Sequence, residues 1–158
     1  MLRLKSVIAG SYRKHFMTML KIKEFLESRR IDVLAPVSSG VVNPGDEFIL
    51  LDEDPVHDPR ILEDSILAKI RVSSFLVLAN VDGYIGKAAV FEMGYAVSQG
   101  IQILTLEPVE DPNLAGYCRL MEDVFPEFRA YYQQQILQNT IQETKTISQQ
   151  VMSASIVA

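Results

Sequence analysis

Apolar residues along the first two thirds of the chain fall alternately into short blocks and helix-spaced stripes. Leu4 to Ala9 is a short run with the β-branched pair Val7-Ile8, closed by Gly10-Ser11, and it predicts a buried first strand and its turn. From Phe16 to Arg30, Phe16, Met19, Leu20, Ile22, Phe25 and Leu26 keep helical spacing while Lys21, Lys23, Glu24 and Glu27 take the other face. Ile31 to Ala35 reads as a second strand, stopped by Pro36. Ile61 to Val72 predicts a helix with a stripe of Leu62, Ile66, Leu67 and Ile70, and Phe75 to Ala79 predicts a third strand. A turn-rich loop, Asn80 to Gly86, leads to a helix that ends near Gly100, and Ile101 to Leu106 gives a fourth strand.

Strand and helix alternate, which implies an α/β fold: a doubly wound, mostly parallel sheet of flavodoxin or Rossmann type, with helices on both faces. Ligands bind such sheets at the carboxyl ends of the strands, which here carry Gly10-Ser11, the Pro36 loop and the Asp82 loop. Between Val37 and Pro59 runs a long Ser-, Gly-, Pro- and Asp-rich stretch interrupted by Phe48-Ile49-Leu50-Leu51, and a loop of that length usually covers or builds a site. After Pro108 the pattern predicts one helix around Leu114 to Val124 and a C-terminal helical extension from Glu127. The expected division is an α/β domain over 1–126 and an interface-forming tail over 127–158. In the tail Leu137, Ile141, Thr144, Ser148 and Val151 recur at helical spacing on a Gln-rich, weakly charged segment. That pattern suits packing on a second subunit or a frayed end.

Composition narrows the function classes. With 158 residues, 48% of them hydrophobic, the chain can bury a core without staples. A single cysteine, Cys118, excludes an internal disulfide framework and a cysteine-cluster metal site and fits a reducing compartment. It falls in a Gly-Tyr-Cys-Arg-Leu stretch that reads as a helix start with no histidine near. A net charge of −5 argues against a nucleic-acid polymer as partner. No apolar stretch has the length of a membrane span, and Met1 to Gly10 is too short and too soon interrupted for a signal peptide, so the expectation is a cytoplasmic protein. His15 and His57 lack metal-ligand spacing, and neither a metal nor a cofactor is expected.

Glu92 is the residue most out of keeping with a surface helix. Its neighbours three and four positions away are Ala88, Ala89, Tyr95 and Ala96, so its carboxylate shares a face with small and aromatic groups. Such a carboxylate either looks into a pocket or reaches a nearby cation. Asp64 and the turn pair Asp82-Gly83 bracket the third strand, and taken alone each is an ordinary surface or turn acid. With Glu92 behind them, three carboxylates could converge at one strand end. The first turn, Gly10-Ser11-Tyr12-Arg13-Lys14, sets a glycine, a hydroxyl and two cations at a helix start, an arrangement suited to an anion, although it matches no phosphate-loop fingerprint.

Taken together, Gly10-Ser11, Asp64, the strand Phe75 to Ala79, Asp82-Gly83 and Phe91-Glu92-Met93-Gly94-Tyr95-Ala96 resemble the nucleoside 2-deoxyribosyltransferase family, including its relatives that hydrolyse 2′-deoxynucleoside 5′-monophosphates. The resemblance spans about residues 5 to 107 and is carried chiefly by the short E-x-G-x-A core. It implies that Glu92 is the nucleophile, that Asp64 and Asp82 assist it, and that Tyr12 contacts the sugar. With Gly10, Ser11, Arg13, Gly83 and Gly86, Tyr12 would form the substrate-binding set. Ser73-Ser74 stands where family members often carry Ala-Asp, and the loop from Asp82 to Glu92 is longer than in the best-known transferases. The family often completes its site from a neighbouring subunit, for which Asn139 is a candidate by residue type.

Cleaving an N-glycosidic bond builds positive charge at the anomeric carbon, which a carboxylate beneath it can stabilise or capture covalently. Attack on that intermediate by a second base makes a transferase, and attack by water makes a hydrolase. Three readings stay open at this point: an N-glycosyl enzyme, a nucleotide-binding or sensing domain without turnover, and an assembly module in which Glu92 is merely paired.

Overall fold

The computed structural model describes residues 2–157, and for 139, 140, 156 and 157 only the backbone. Five strands, β1 (Lys5–Ala9), β2 (Asp32–Ala35), β3 (Phe75–Leu78), β4 (Gln102–Thr105) and β5 (Cys118–Leu120), form one wholly parallel sheet in the order β2-β1-β3-β4-β5. This is the flavodoxin-type order, in which the winding reverses between β1 and β3.

Strand side chains divide with period two between two cores. Ile8, Phe75, Val77 and Leu104 face helix α1 (Tyr12–Glu27), while Val7, Ala9, Leu76, Leu78 and Ile103 face α2 (Pro59–Arg71) and α3 (Lys87–Ser98). Helix α1 buries Phe16, Met19, Ile22, Phe25 and Leu26, the stripe the pattern predicts. It begins at Tyr12, four residues earlier than the apolar spacing alone suggests, because the Ser11 side chain caps it by accepting from the Lys14 amide at 3.1 Å. Asp58 caps α2 in the same way, accepting from the Ile61 amide at 3.0 Å, with Pro59 in the first turn.

Two loop features fix the sheet's carboxyl edge. A Cβ added at Gly10 would lie 3.0 Å from the Ala79 Cβ and 3.3 Å from the Met19 sulfur, so the turn after β1 needs glycine to pass the end of β3. Asn80 is wholly buried and joins the ends of β3 and β4: it accepts from the amides of Leu106 and Glu107 and donates to the Glu107 carbonyl.

The expected helix from Leu114 to Val124 is instead a short helix α4 (Pro112–Ala115), the edge strand β5, and a single turn α5 (Met121–Val124). Cys118 therefore lies in a strand, not at a helix start. Three residues paired on one side are too few to show an alternating pattern, so β5 leaves no periodic mark in the sequence. Beyond it, α6 (Phe128–Tyr131), a π-helical segment over Tyr132–Leu137 and α7 (Gln138–Val157) run on as one helical stretch. Phe128, Tyr132 and Ile136 enter the core beside Phe25, and the Tyr131 hydroxyl donates to the Lys21 carbonyl at 2.8 Å. Past Leu137 the described side chains are exposed. No helix among the described residues is long and apolar enough to cross a membrane.

Candidate active site

A pocket of about 520 Å³ opens at the carboxyl ends of β1 and β3, the point where the winding reverses. Its walls come from four segments. Gly10, Ser11, Tyr12 and Arg13 follow β1; Phe48, Ile49, Leu51 and Asp54 come from the long loop after β2; Leu62, Glu63, Ile66 and Lys69 lie on α2; and Gly86, Lys87, Ala88, Ala89 and Glu92 open α3. The volume suits a nucleoside-sized ligand.

Glu92 is 8% exposed, and its Oε2 is buried without a hydrogen-bond partner among the described residues. Burial, then the nearby Glu63 carboxylate, push its pKa up to about 8. The two alanines one turn before it, Ala88 and Ala89, line the same cavity, as their spacing implies. Glu63, half-buried, has a buried Oε1 without a partner among the described residues, and burial followed by the charge of Asp64 raises its pKa. Two carboxyl groups thus share one pocket, and the charge of Glu63 disfavours ionisation of Glu92. Tyr12 stands among these acids: burial and then the charges of Glu92, Asp54 and Glu63 raise its hydroxyl, and its ring rests on Phe16 with centroids 5.3 Å apart.

Asp64 does not enter the pocket. It is exposed and ion-paired with Arg60 at 3.4 Å, one turn back on the outer face of α2. Helical geometry sets adjacent residues about 100° apart, so the inward acid is Glu63. Asp82 and Gly83 also lie outside the pocket lining. They form a left-handed pair, φ 55° and 77°, in the short 3₁₀ turn Val81–Gly83, and the Gly83 amide donates to Glu107 Oε2 at 3.0 Å. The expected convergence of Glu92, Asp64 and Asp82 is therefore replaced by Glu92 with Glu63, and Gly83 turns the chain rather than lining the cavity. Gly10, Ser11, Tyr12, Arg13 and Gly86 do line it.

The cation cluster of the first turn is divided. Ser11 is occupied as the cap of α1, and Lys14 Nζ sits 3.9 Å above the Tyr84 ring, whose edge meets His15. Arg13 remains on the pocket wall and is joined there by Lys69 and Lys87, none of the three ion-paired among the described residues. Lys69 and Lys87 escape sequence reasoning because isolated lysines on amphipathic helices read as solvated. Glu63 could have been found: it lies three residues before Ile66 on the apolar stripe. The side chain of Asn139 lies outside the described residues.

Fold and site together define a doubly wound α/β domain with an acid-floored, cation-rimmed pocket at its switch point. No protein-family model matches the chain, and no curated protein matches it. Among solved structures, a conserved protein from Enterococcus faecalis V583 is similar at 17% identity over 66% of this chain and 63% of that one, with a TM-score of 0.49. The CMP N-glycosidase BcmB of Clostridium botulinum is similar at 13% identity over 64% of this chain and 69% of that one, with a TM-score of 0.43. The chain thus spans less than two thirds of the first of these. The functional reading rests on the pocket's own residues.

Proposed function

We propose that the chain is a glycosyl enzyme that cleaves the N-glycosidic bond of 2′-deoxynucleosides through Glu92 and transfers the deoxyribosyl group to another base. The observation that carries this reading is Glu92 itself: a buried carboxyl with an unpartnered oxygen, beside a second carboxyl, at the floor of a nucleoside-sized pocket. The motif resemblance around it supports the same chemistry.

At neutral pH the free pocket holds a proton on Glu92. Positive charge developing at the anomeric carbon draws Glu92 into its anionic form and leaves the proton with Glu63. The Glu92 carboxylate then bonds to C1′ as the C1′–N bond breaks, and the departing base takes the electron pair and the Glu63 proton. In the second half, a nitrogen of the incoming base attacks C1′, gives its proton to Glu63 and frees Glu92. One proton shared by two carboxyls is the working state, so activity falls as the pH rises through about 8 and that proton is lost.

A second reading, hydrolysis of 2′-deoxynucleoside 5′-monophosphates, is favoured by Arg13, Lys69 and Lys87 on the pocket wall, since unpaired cations there suit a phosphate. Incubation with a 2′-deoxynucleoside and a second base separates the outcomes. A new nucleoside supports transfer, free base with free sugar supports hydrolysis, and bound but unchanged ligand supports a sensing domain. Loss of activity confined to phosphorylated substrates in Arg13→Ala would favour the second reading.

Self-association belongs to the same proposal. Phe91 on α3 is 59% exposed, and α7 exposes Ile141, Ile147, Val151 and Met152 while carrying only Glu143 and Lys145 as charges. Light scattering at micromolar concentration is expected to give at least a dimer, and a monomeric mass would contradict this.

A further inference from the structure

We infer that Asp54, presented by the loop after β2 and assisted by Phe48, selects bases that carry an exocyclic amino group, cytosine and adenine over uracil and hypoxanthine. The inference rests on the glycosyl reading of the pocket.

The loop is a constructed platform rather than a loose cover. Val41 bridges Leu51 in antiparallel fashion, and the Val42 amide donates to the Leu50 carbonyl at 2.9 Å. Asn43 accepts from the Leu50 amide at 2.7 Å and donates to the Phe48 carbonyl at 2.8 Å. Ile49 and Leu51 are buried in the core, so the residues between and after them are held in place. Asp54 is fixed twice: its amide donates to the Leu51 carbonyl at 3.1 Å, and its Oδ2 accepts from the Leu51 amide at 2.8 Å. Its Oδ1 has no hydrogen-bond partner among the described residues, on a side chain that lines the pocket close enough to Tyr12 to raise that hydroxyl.

A fixed carboxylate oxygen only accepts hydrogen bonds. It repels a phosphate, which leaves that group to Arg13, Lys69 and Lys87, and it repels the carbonyl edge of an oxo base. It accepts from the amino group of cytosine or adenine. A base also needs a flat apolar surface. Three aromatic rings line the cavity, and two are engaged: Tyr12 rests on Phe16, and Tyr84 holds Lys14 over its face and His15 at its edge. Phe48 makes no ring contact among the described residues and is 38% exposed at the pocket wall, so it is the ring free to stack.

The test compares near-isosteric pairs, 2′-deoxycytidine with 2′-deoxyuridine and 2′-deoxyadenosine with 2′-deoxyinosine. Turnover is measured on the whole chain, and binding on Glu92→Gln by calorimetry. The expected preference for the amino member is about 10- to 100-fold, the scale of a hydrogen bond to a charged group. Asp54→Asn can keep the Leu51 bond through its carbonyl and offers an NH₂ where Oδ1 stood, so the preference is expected to shrink or invert while the melting temperature stays within a degree or so of the parent, about the scale of a surface substitution. Turnover without an amino preference, or with a preference that Asp54→Asn leaves unchanged, overturns the assignment of Asp54 and leaves the glycosyl chemistry standing. Failure of every nucleoside to bind or react overturns both.

Discussion

The pocket floor and the turns that follow β3 and β4 both carry acids, and they treat those acids in opposite ways. After β4, Glu107 accepts from the Gly83 amide, and after β3 Asp82 stays exposed in a left-handed turn that an aspartate tolerates. On the floor, Glu92 and Glu63 each bury an oxygen with no partner among the described residues. A buried polar group left unpaired costs about 1–3 kcal/mol, more if charged, so the fold is more stable without it unless a ligand completes it. The contrast separates acids that build the site from acids proposed to act in it. It also explains why Glu63 and Asp64, adjacent in sequence, differ in role: one enters the cavity and the other pairs with Arg60.

The largest expected effect breaks the floor. Glu92→Gln should cost at least about 10³-fold in turnover, since it removes the proposed nucleophile. The same variant should be more stable than the parent. The folded pKa of Glu92 is raised from 4.5 to about 8, so its contribution to stability is fully present below about pH 4.5 and is lost as the pH rises toward 8. A glutamine escapes that loss, which is on the order of 3 kcal/mol at pH 7, and thermal unfolding should show a melting temperature raised by several degrees at pH 7 and little changed at pH 4.

Next in size is Glu63→Gln, expected to lower turnover by about 10²-fold through loss of the proposed proton donor. It also removes a like charge that raises Glu92, so titration of Glu92, followed by carboxyl NMR, should move to lower pH. Asp64→Asn is the paired control. Its exposed ion pair is worth at most about 1 kcal/mol, and kinetics within twofold of the parent are expected. If the two substitutions acted alike, the distinction between the two acids would fail.

On the building side, Asn80→Ala strips three hydrogen bonds from a buried side chain and should destabilise by about 2–4 kcal/mol, measured by urea unfolding. Gly10→Ala forces a methyl against Ala79 and Met19 and should cost about 1–3 kcal/mol. Asp82→Asn should have the smallest effect, within about 0.5 kcal/mol in stability, because Asp82 is exposed.

Most of the frame was legible because its signals are periodic. Four strands and the stripes of α1 and α2 announce themselves, and the small residues around Glu92 betray its pocket. What could not be read is positional. Adjacent helix residues differ by about 100° in direction, and although Glu63 falls on the stripe of Ile66, Leu67 and Ile70, spacing does not say which acid meets a cavity. Asp82-Gly83 has the same composition whether it binds or turns. Asn80 looks like any loop asparagine until β4 is placed beside β3, and β5 is too short to carry a pattern. The cations Lys69 and Lys87 become a pair with Arg13 only when α2, α3 and the first turn meet.

Chromatography of free bases after incubation with 2′-deoxynucleosides and their 5′-monophosphates, with and without an acceptor base and beside Glu92→Gln, tests the central claim most directly. The account predicts base release or exchange by the parent chain and none above background by the variant. No release by folded parent protein, or equal release by both, would contradict the role given to Glu92.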